Sequence, residues 1–430
     1  MKKHGFIVAI IIVMSTITMA QELTLNDCVD IALQNKETLN SAELDLQSAK
    51  AGKIGALSNI LPSVSLSGGR SETSYANSDI YPTSSYWSAG IGVSQNIFDG
   101  GGWWNRIARA NNGYVMQQQL ERQVRTNVIA EVHRAYYQLL KSQQLVEVAG
   151  QNLDLAEQQV ELSQRKYDLG AAKKTDLLKS KVAAGISKTA LITQQGILYT
   201  AISELKNALG ILDNGEQIVI SRKIEELQSI PEFVEAVETL KSNNPGILAT
   251  EAQLKDAKIN KKLTTAMRLP SLSASLSYGG TDSEFSGLSE ALNDDWTMTT
   301  GLNLSFPIFS GMGLSTQAQQ AKLAVQKQKN DLITATNDAI VYLETLHGIV
   351  NDYFKIIPIN EEVLASAEED MNLVSERYRL GSASILELLD AQVSVTQSRV
   401  GLVSSIYDAK IQEAYLKAQL GILDKEFDEN

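Results

Sequence analysis

Four short motifs occur twice, in the same order, about half a chain apart, and this internal duplication limits the possible fold more than any other feature of the sequence. Leu61-Pro62-Ser63-Val64-Ser65-Leu66-Ser67 returns as Leu269-Pro270-Ser271-Leu272-Ser273-Ala274-Ser275, 208 residues on. Asn96-Ile97-Phe98-Asp99-Gly100 returns as Pro307-Ile308-Phe309-Ser310-Gly311, 211 residues on. Arg165-Lys166-Tyr167-Asp168-Leu169-Gly170 matches Glu376-Arg377-Tyr378-Arg379-Leu380-Gly381 at the same spacing of 211. Gly210-Ile211-Leu212-Asp213 recurs unchanged as Gly421-Ile422-Leu423-Asp424. The chain therefore reads as two copies of one plan, residues 21–224 and 225–430, preceded by a leader at 1–20.

Each copy opens with a helical arm, Leu25 to Ser58 and Glu232 to Met267, followed by alternating segments. In the second copy Leu272, Ala274, Leu276 and Tyr278 alternate with serines, and Trp296, Met298, Leu302, Leu304 and Phe306 alternate with small polar residues. The first copy offers Val64 and Leu66, then Trp87, Ala89, Ile91 and Val93. Alternation with a period of two predicts strands with one apolar and one polar face, near 62–69, 86–97, 270–280 and 296–307. Such strands are about 10 residues long, the reach of a tilted membrane strand, and their small hydroxylic faces suit a wet barrel interior. Polar segments, Glu72 to Ser85 and Asp282 to Asp295, join them as loops.

Long helical stretches follow, Trp103 to Tyr167 and Leu314 to Tyr378, each about 100 Å long if unbroken at ~1.5 Å per residue. Pro358 is expected to kink or break the second, because it removes a helical N–H and crowds the preceding turn. Turns at Gly170 and Gly381 reverse the chain into returning helices. On the last of these, Leu389, Val393, Val400, Val403, Tyr407, Ile411, Ala414 and Ala418 form a coiled-coil type stripe. Four strands per chain cannot close a barrel, so their edges call for further copies.

The leader reads as a secretory signal: Lys2 and Lys3, the apolar run Phe6 to Met14, and Thr18-Met19-Ala20 before Gln21. No Cys follows the run directly, so lipoprotein processing is not expected, and no later run is long enough for a membrane helix. A membrane crossing must then use closed strands. With a net charge of −12 before the two leader lysines are lost, nucleic acid is not an expected partner. Cys28 stands alone on an apolar helical face and reads as core. His4 leaves with the leader, and His133 and His347 lack metal-ligand neighbours. Gly100-Gly101-Gly102 lacks the Lys-Ser/Thr of a phosphate loop and reads as a barrel-to-helix joint. No catalytic, metal or cofactor site is expected. A soluble periplasmic coiled-coil adaptor or scaffold is the rival reading, but it leaves the alternating strands and their tryptophans without a purpose.

The duplicated Leu-Pro-x-Leu/Val-Ser strand start, the Ile-Phe-x-Gly exit, the Tyr-x-x-Gly turn and the Leu-Gly-Ile-Leu close together resemble the TolC-type outer membrane efflux proteins, over essentially all of the mature chain. The resemblance implies a mainly α fold with membrane β. In it, a homotrimer closes a twelve-stranded outer-membrane barrel that continues as a periplasmic helical coiled-coil barrel. It also implies a periplasmic adaptor and an inner-membrane pump or exporter as partners. In that family carboxylates narrow the periplasmic entrance just after the second glycine turn, and Glu387 and Asp390 fall there. Tyr378 matches the tyrosine that locks the closed entrance, and Asp176 its acidic acceptor. The arginine expected two residues after the second glycine is Ala383 here, with Arg379 nearby at another helical phase. The adaptor is expected to dock around Gly170 and around Gly381 and Ser382, where small residues let its helices approach.

Overall fold

In a computed structural model, residues 22–76, 83–211, 219–222 and 226–427 are described. The leader at 1–20, Leu212 and Asp213, and the centre of the first polar segment lie outside them. The first copy runs α1 (Leu25–Asn35), α2 (Glu37–Gly55), β1 (Ser63–Thr73), β2 (Ser84–Asp99), α3 (Gly102–Asp168) and α4 (Lys174–Ala208). The second runs α5 (Phe233–Asn243), α6 (Pro245–Ala266), β3 (Ser271–Asp282), a short α7 (Leu288–Asn293), β4 (Thr297–Ser305), α8 (Gly313–Arg379) and α9 (Ile385–Leu420). The long helices of the two copies, α3 and α8, are each 67 residues.

Each expected helical arm is two helices rather than one, because one residue between them is extended: Lys36 in the first copy and Asn244 in the second. Pro245 forces the second break, since the residue before proline is driven out of the helical region. It then starts α6 at N1, and the Asn244 side chain caps the new helix by accepting from the Ile247 N–H at 3.1 Å. The second polar segment is not all loop either. It carries α7, with the Tyr278 hydroxyl donating to the Leu292 carbonyl.

Pro358 does not interrupt α8. It sits on an exposed face of the helix. The carbonyl four residues earlier, at Phe354, can there be hydrated when its helical donor is missing.

The four strands form one antiparallel meander in the order β1-β2-β3-β4. Its register sorts the side chains by face. Leu66, Ile91, Tyr278 and Met298 stand in one cross-strand row, and Val64, Val93 and Leu276 in the next on the same face. The opposite face carries the row Ser65, Gly92, Ser277 and Thr299. A bulge at Asn96/Phe98 keeps Phe98 opposite Leu272 at the end of β2. The apolar face is open to its surroundings, with Leu66 85% exposed and Leu302 75%. Among the described residues no further strand pairs the outer edges of β1 and β4.

Two compact units emerge, and each draws on both copies. One holds residues up to 36, 128–229 and 350–414; the other holds 37–127, 230–349 and 415–430. In the first, α3 buries Val128, Ile129, Val132, Ala135, Tyr136, Leu139 and Leu140 at helical spacing. Cys28 is fully buried there, and burial, helped by the neighbouring Asp27 charge, pushes its thiol up to about 12. Of the α9 stripe in this unit, Tyr407, Ile411 and Ala414 are buried, whereas Val393 and Val400 remain exposed. In the second unit Arg122 donates to Asp424 at 2.6 Å and to the carbonyls of Gly421 and Asn243 at 2.6 and 3.0 Å.

Candidate functional site

The turns that end α3 and α8 are built alike. Gly170 has φ +74° and Gly381 φ +80°, the left-handed region that side chains avoid. Gly170 N–H bonds the Tyr167 carbonyl at 2.9 Å, and Ala171 N–H bonds the Lys166 carbonyl at 2.8 Å. Gly381 N–H bonds the Tyr378 carbonyl at 3.1 Å, and Ser382 N–H bonds the Arg377 carbonyl at 2.8 Å. These are paired Schellman closures, which satisfy the last carbonyls of each long helix. A methyl group added at either glycine would meet no atom within 4 Å, so both turns are open to approach.

The acidic positions differ from each other. Glu387 closes a capping box at the start of α9: its carboxylate accepts the Ser384 N–H at 3.0 Å, and its own N–H donates to the Ser384 hydroxyl at 3.2 Å. It also pairs with Arg377 at 3.3 Å. The Ser384 hydrogen bonds, seconded by Arg377, hold its carboxyl below the ordinary carboxylate range. Asp390, one turn on, is exposed at the start of the same helix. Asp176 occupies in α4 the place that Glu387 has in α9, 211 residues earlier, and accepts the Lys173 N–H at 3.4 Å.

Within one chain Asp176 and Tyr378 are not joined. Asp176 is turned onto the first turn of its own helix. The Tyr378 ring is buried with Val374, Ile385, Leu388 and Ala391, and Ala383 and Leu162 pack against that cluster. The absent arginine at 383 is thus a methyl group packed on apolar neighbours. Arg379 does not stand in for it, because it pairs locally with Glu376 at 2.8 Å.

Two basic residues that the motif reading passed over do the bridging. Arg377 ties α8 to α9 through Glu387 and through the Ser382 carbonyl at 3.3 Å. Lys166 reaches from α3 to the carbonyl of Tyr378 at 2.8 Å. The signal was present: Lys166 and Arg377 are the same position of the repeat, both basic, four residues before the glycine.

A sheet with one apolar and one hydroxylic face, open at both edges, and two long helical hairpins define a class of membrane channel. No described helix is long and apolar enough to cross a membrane. The model of the outer membrane efflux proteins matches residues 28–211 and again 236–422, and the chain belongs to that family. The chain is similar to the outer membrane protein TolC of Vibrio cholerae, at 22% identity over 92% of this chain and 90% of that protein. Its fold matches the Campylobacter jejuni CmeC outer membrane channel with a TM-score of 0.83 at 17% identity, covering 93% of this chain and 86% of that one. It also matches the outer membrane protein VceC of Vibrio cholerae with a TM-score of 0.80 at 17% identity, covering 92% and 96%. The protein is an outer-membrane efflux channel with a periplasmic extension, mainly α with membrane β, and not a soluble adaptor. Members of its family are channels rather than enzymes.

Proposed function

We propose that three copies of this chain close a twelve-stranded barrel and act as the passive exit duct of an efflux or secretion assembly. The helices meet a periplasmic adaptor, and through it an inner-membrane pump or exporter supplies the energy. The observation that carries this reading is the sheet: two-faced, with the outer edges of β1 and β4 free for strands of neighbouring copies. The exposed apolar residues Leu178, Val182 and Ile186 along α4 are covered by a neighbouring copy in the same assembly. The chain itself performs no chemistry and needs no cofactor. Small molecules or proteins cross by diffusion, and selection lies with the pump.

At the entrance, Asp390 and Glu387 of each copy line a narrow axis and favour cations there. Of the two, Asp390 carries the freer charge, because Glu387 is paired with Arg377. The adaptor docks on the turns at Gly170 and at Gly381 and Ser382, where the open space around the glycines supports close helix approach. Adaptor binding opens the entrance only so far as it prefers the open form. Asp176 and Tyr378 belong to the restraint on that opening.

The decisive test is the protein mass of the detergent-extracted mature chain by light scattering. A particle of three subunits that needs detergent is expected; a monomer soluble without it would overturn the reading. Ser382→Trp is expected to abolish export while the trimer persists.

A further inference from the structure

The two copies place the same four residue types at their turns. Lys166, Tyr167, Gly170 and Asp176 correspond to Arg377, Tyr378, Gly381 and Glu387, each pair 211 residues apart. If side chains followed sequence, each basic residue would reach forward to the acid that starts its own returning helix. Arg377 does so, pairing with Glu387 at 3.3 Å. Lys166 does not. Its ammonium lies 2.8 Å from the Tyr378 carbonyl and 4.0 Å from the centre of the Tyr378 ring. The tyrosines part company in the same way: Tyr378 is 6% exposed and Tyr167 38%.

We propose that Lys166 is the clasp that fixes the first-copy turn on the second-copy turn within each chain, and so restrains the entrance. This inference rests on the channel reading above. Three features make the contact strong for a single side chain. The carbonyl lies in the last turn of α8, where the helix dipole favours a cation. The ring face attracts the same cation, and more so where the ring is desolvated. The ring is itself held by Val374, Ile385 and Leu388, with Leu162 of α3, one turn before Lys166, packed on the cluster. An entrance that widens by parting the α3–α4 turn from the α8–α9 turn must break this contact first. The tie uses the backbone carbonyl and the face of the ring, and leaves the phenolic hydroxyl out.

The test is resting conductance of the purified channel in planar lipid bilayers in potassium chloride, with thermal stability in detergent measured alongside. Lys166→Met, which keeps the stem and loses the charge, is expected to raise the open-to-closed ratio about tenfold, the scale of a desolvated cation–ring contact, with the melting transition unchanged. Lys166→Arg is expected to restore wild-type conductance. Wild-type conductance in Lys166→Met overturns the clasp. A wild-type protein that forms no channel at all overturns the channel reading instead.

Discussion

Gly421→Ala tests how far the duplicated Gly-Ile-Leu-Asp motif is dictated by packing rather than by turn geometry. Among the described residues seven glycines have positive φ, from +58° to +82°, so each pays the same kind of cost on gaining a side chain, about 1–2 kcal/mol for the left-handed region. What differs is the surrounding space. A methyl group at Gly421 would lie 2.3 Å from the Asn243 carbonyl oxygen and 2.6 Å from its carbon, both backbone atoms at the end of α5. At Gly210 the nearest atom is the Asn35 carbonyl oxygen at 2.9 Å, at the end of α1. Neither can retreat without moving a helix terminus, and such overpacking adds about 1–3 kcal/mol. At Gly170 and Gly381 nothing lies within 4 Å, so only the φ cost remains. A less flexible unfolded chain returns about 0.4–1 kcal/mol in every case. The expected losses are therefore about 3 kcal/mol for Gly421→Ala, somewhat less for Gly210→Ala, and under about 1 kcal/mol for Gly170→Ala and Gly381→Ala. Denaturant unfolding of the detergent-extracted protein at fixed concentration measures the series. The reasoning fails if Gly170→Ala costs as much as Gly421→Ala, or if Gly421→Ala unfolds like wild type.

Arg122→Ala strands Asp424, whose side chain is 4% exposed, and is expected to cost about 3–5 kcal/mol in the same unfolding assay; the double change Arg122→Met with Asp424→Leu should recover most of it. Met312 has φ +72° where the first copy has Gly101, so Met312→Gly is expected to stabilise by up to about 1 kcal/mol, and a loss would refute the strain argument. Glu387 has its carboxyl held low in the folded chain, so its contribution to the start of α9 is present above the ordinary carboxylate range and disappears as pH falls through the lowered value. Protection of the Ser384 amide from hydrogen exchange, corrected for the intrinsic pH dependence of exchange, should fall on acidification, and Glu387→Gln should remove that fall.

The strands were legible because one physical signal, alternation over a two-residue period, fixes both their type and their facing. Leu66, Ile91, Tyr278 and Met298 fall in one row of the sheet as the alternation requires. The glycine turns were equally open to reading, since a positive φ demands a residue type. Other features were not read, some because local chemistry has two outcomes and some because a distant partner settles them. Pro358 looked like a helix breaker from local chemistry, but its exposed position lets water take the orphaned carbonyl. The break at Asn244 follows from Pro245, a local signal, whereas no proline follows Lys36, and the Asn35 carbonyl at that break lies against Gly210, far along the chain. Glu387 was legible as an acid after the turn, and Ser384-x-x-Glu387 is the local pattern of its capping box, but its pairing with Arg377 across the turn was not legible.

Duplication also explains why the two turns could diverge. Two identical hairpins in one chain cannot make identical contacts with each other unless they meet across a symmetry axis, and a cation on one tip has a single nearest acceptor on the other. Lys166 takes the Tyr378 carbonyl, which leaves Arg377 free to staple its own hairpin through Glu387. One repeat thus supplies the tie and the other receives it. Exchanging the basic residues, Lys166→Arg with Arg377→Lys, keeps both charges and asks whether position or side-chain type sets these roles. Because a guanidinium can also satisfy carbonyl and ring, and an ammonium can also pair with Glu387, the exchanged protein is expected to keep wild-type resting conductance. A leaky exchange variant would show that side-chain type, and not place in the fold, assigns the clasp.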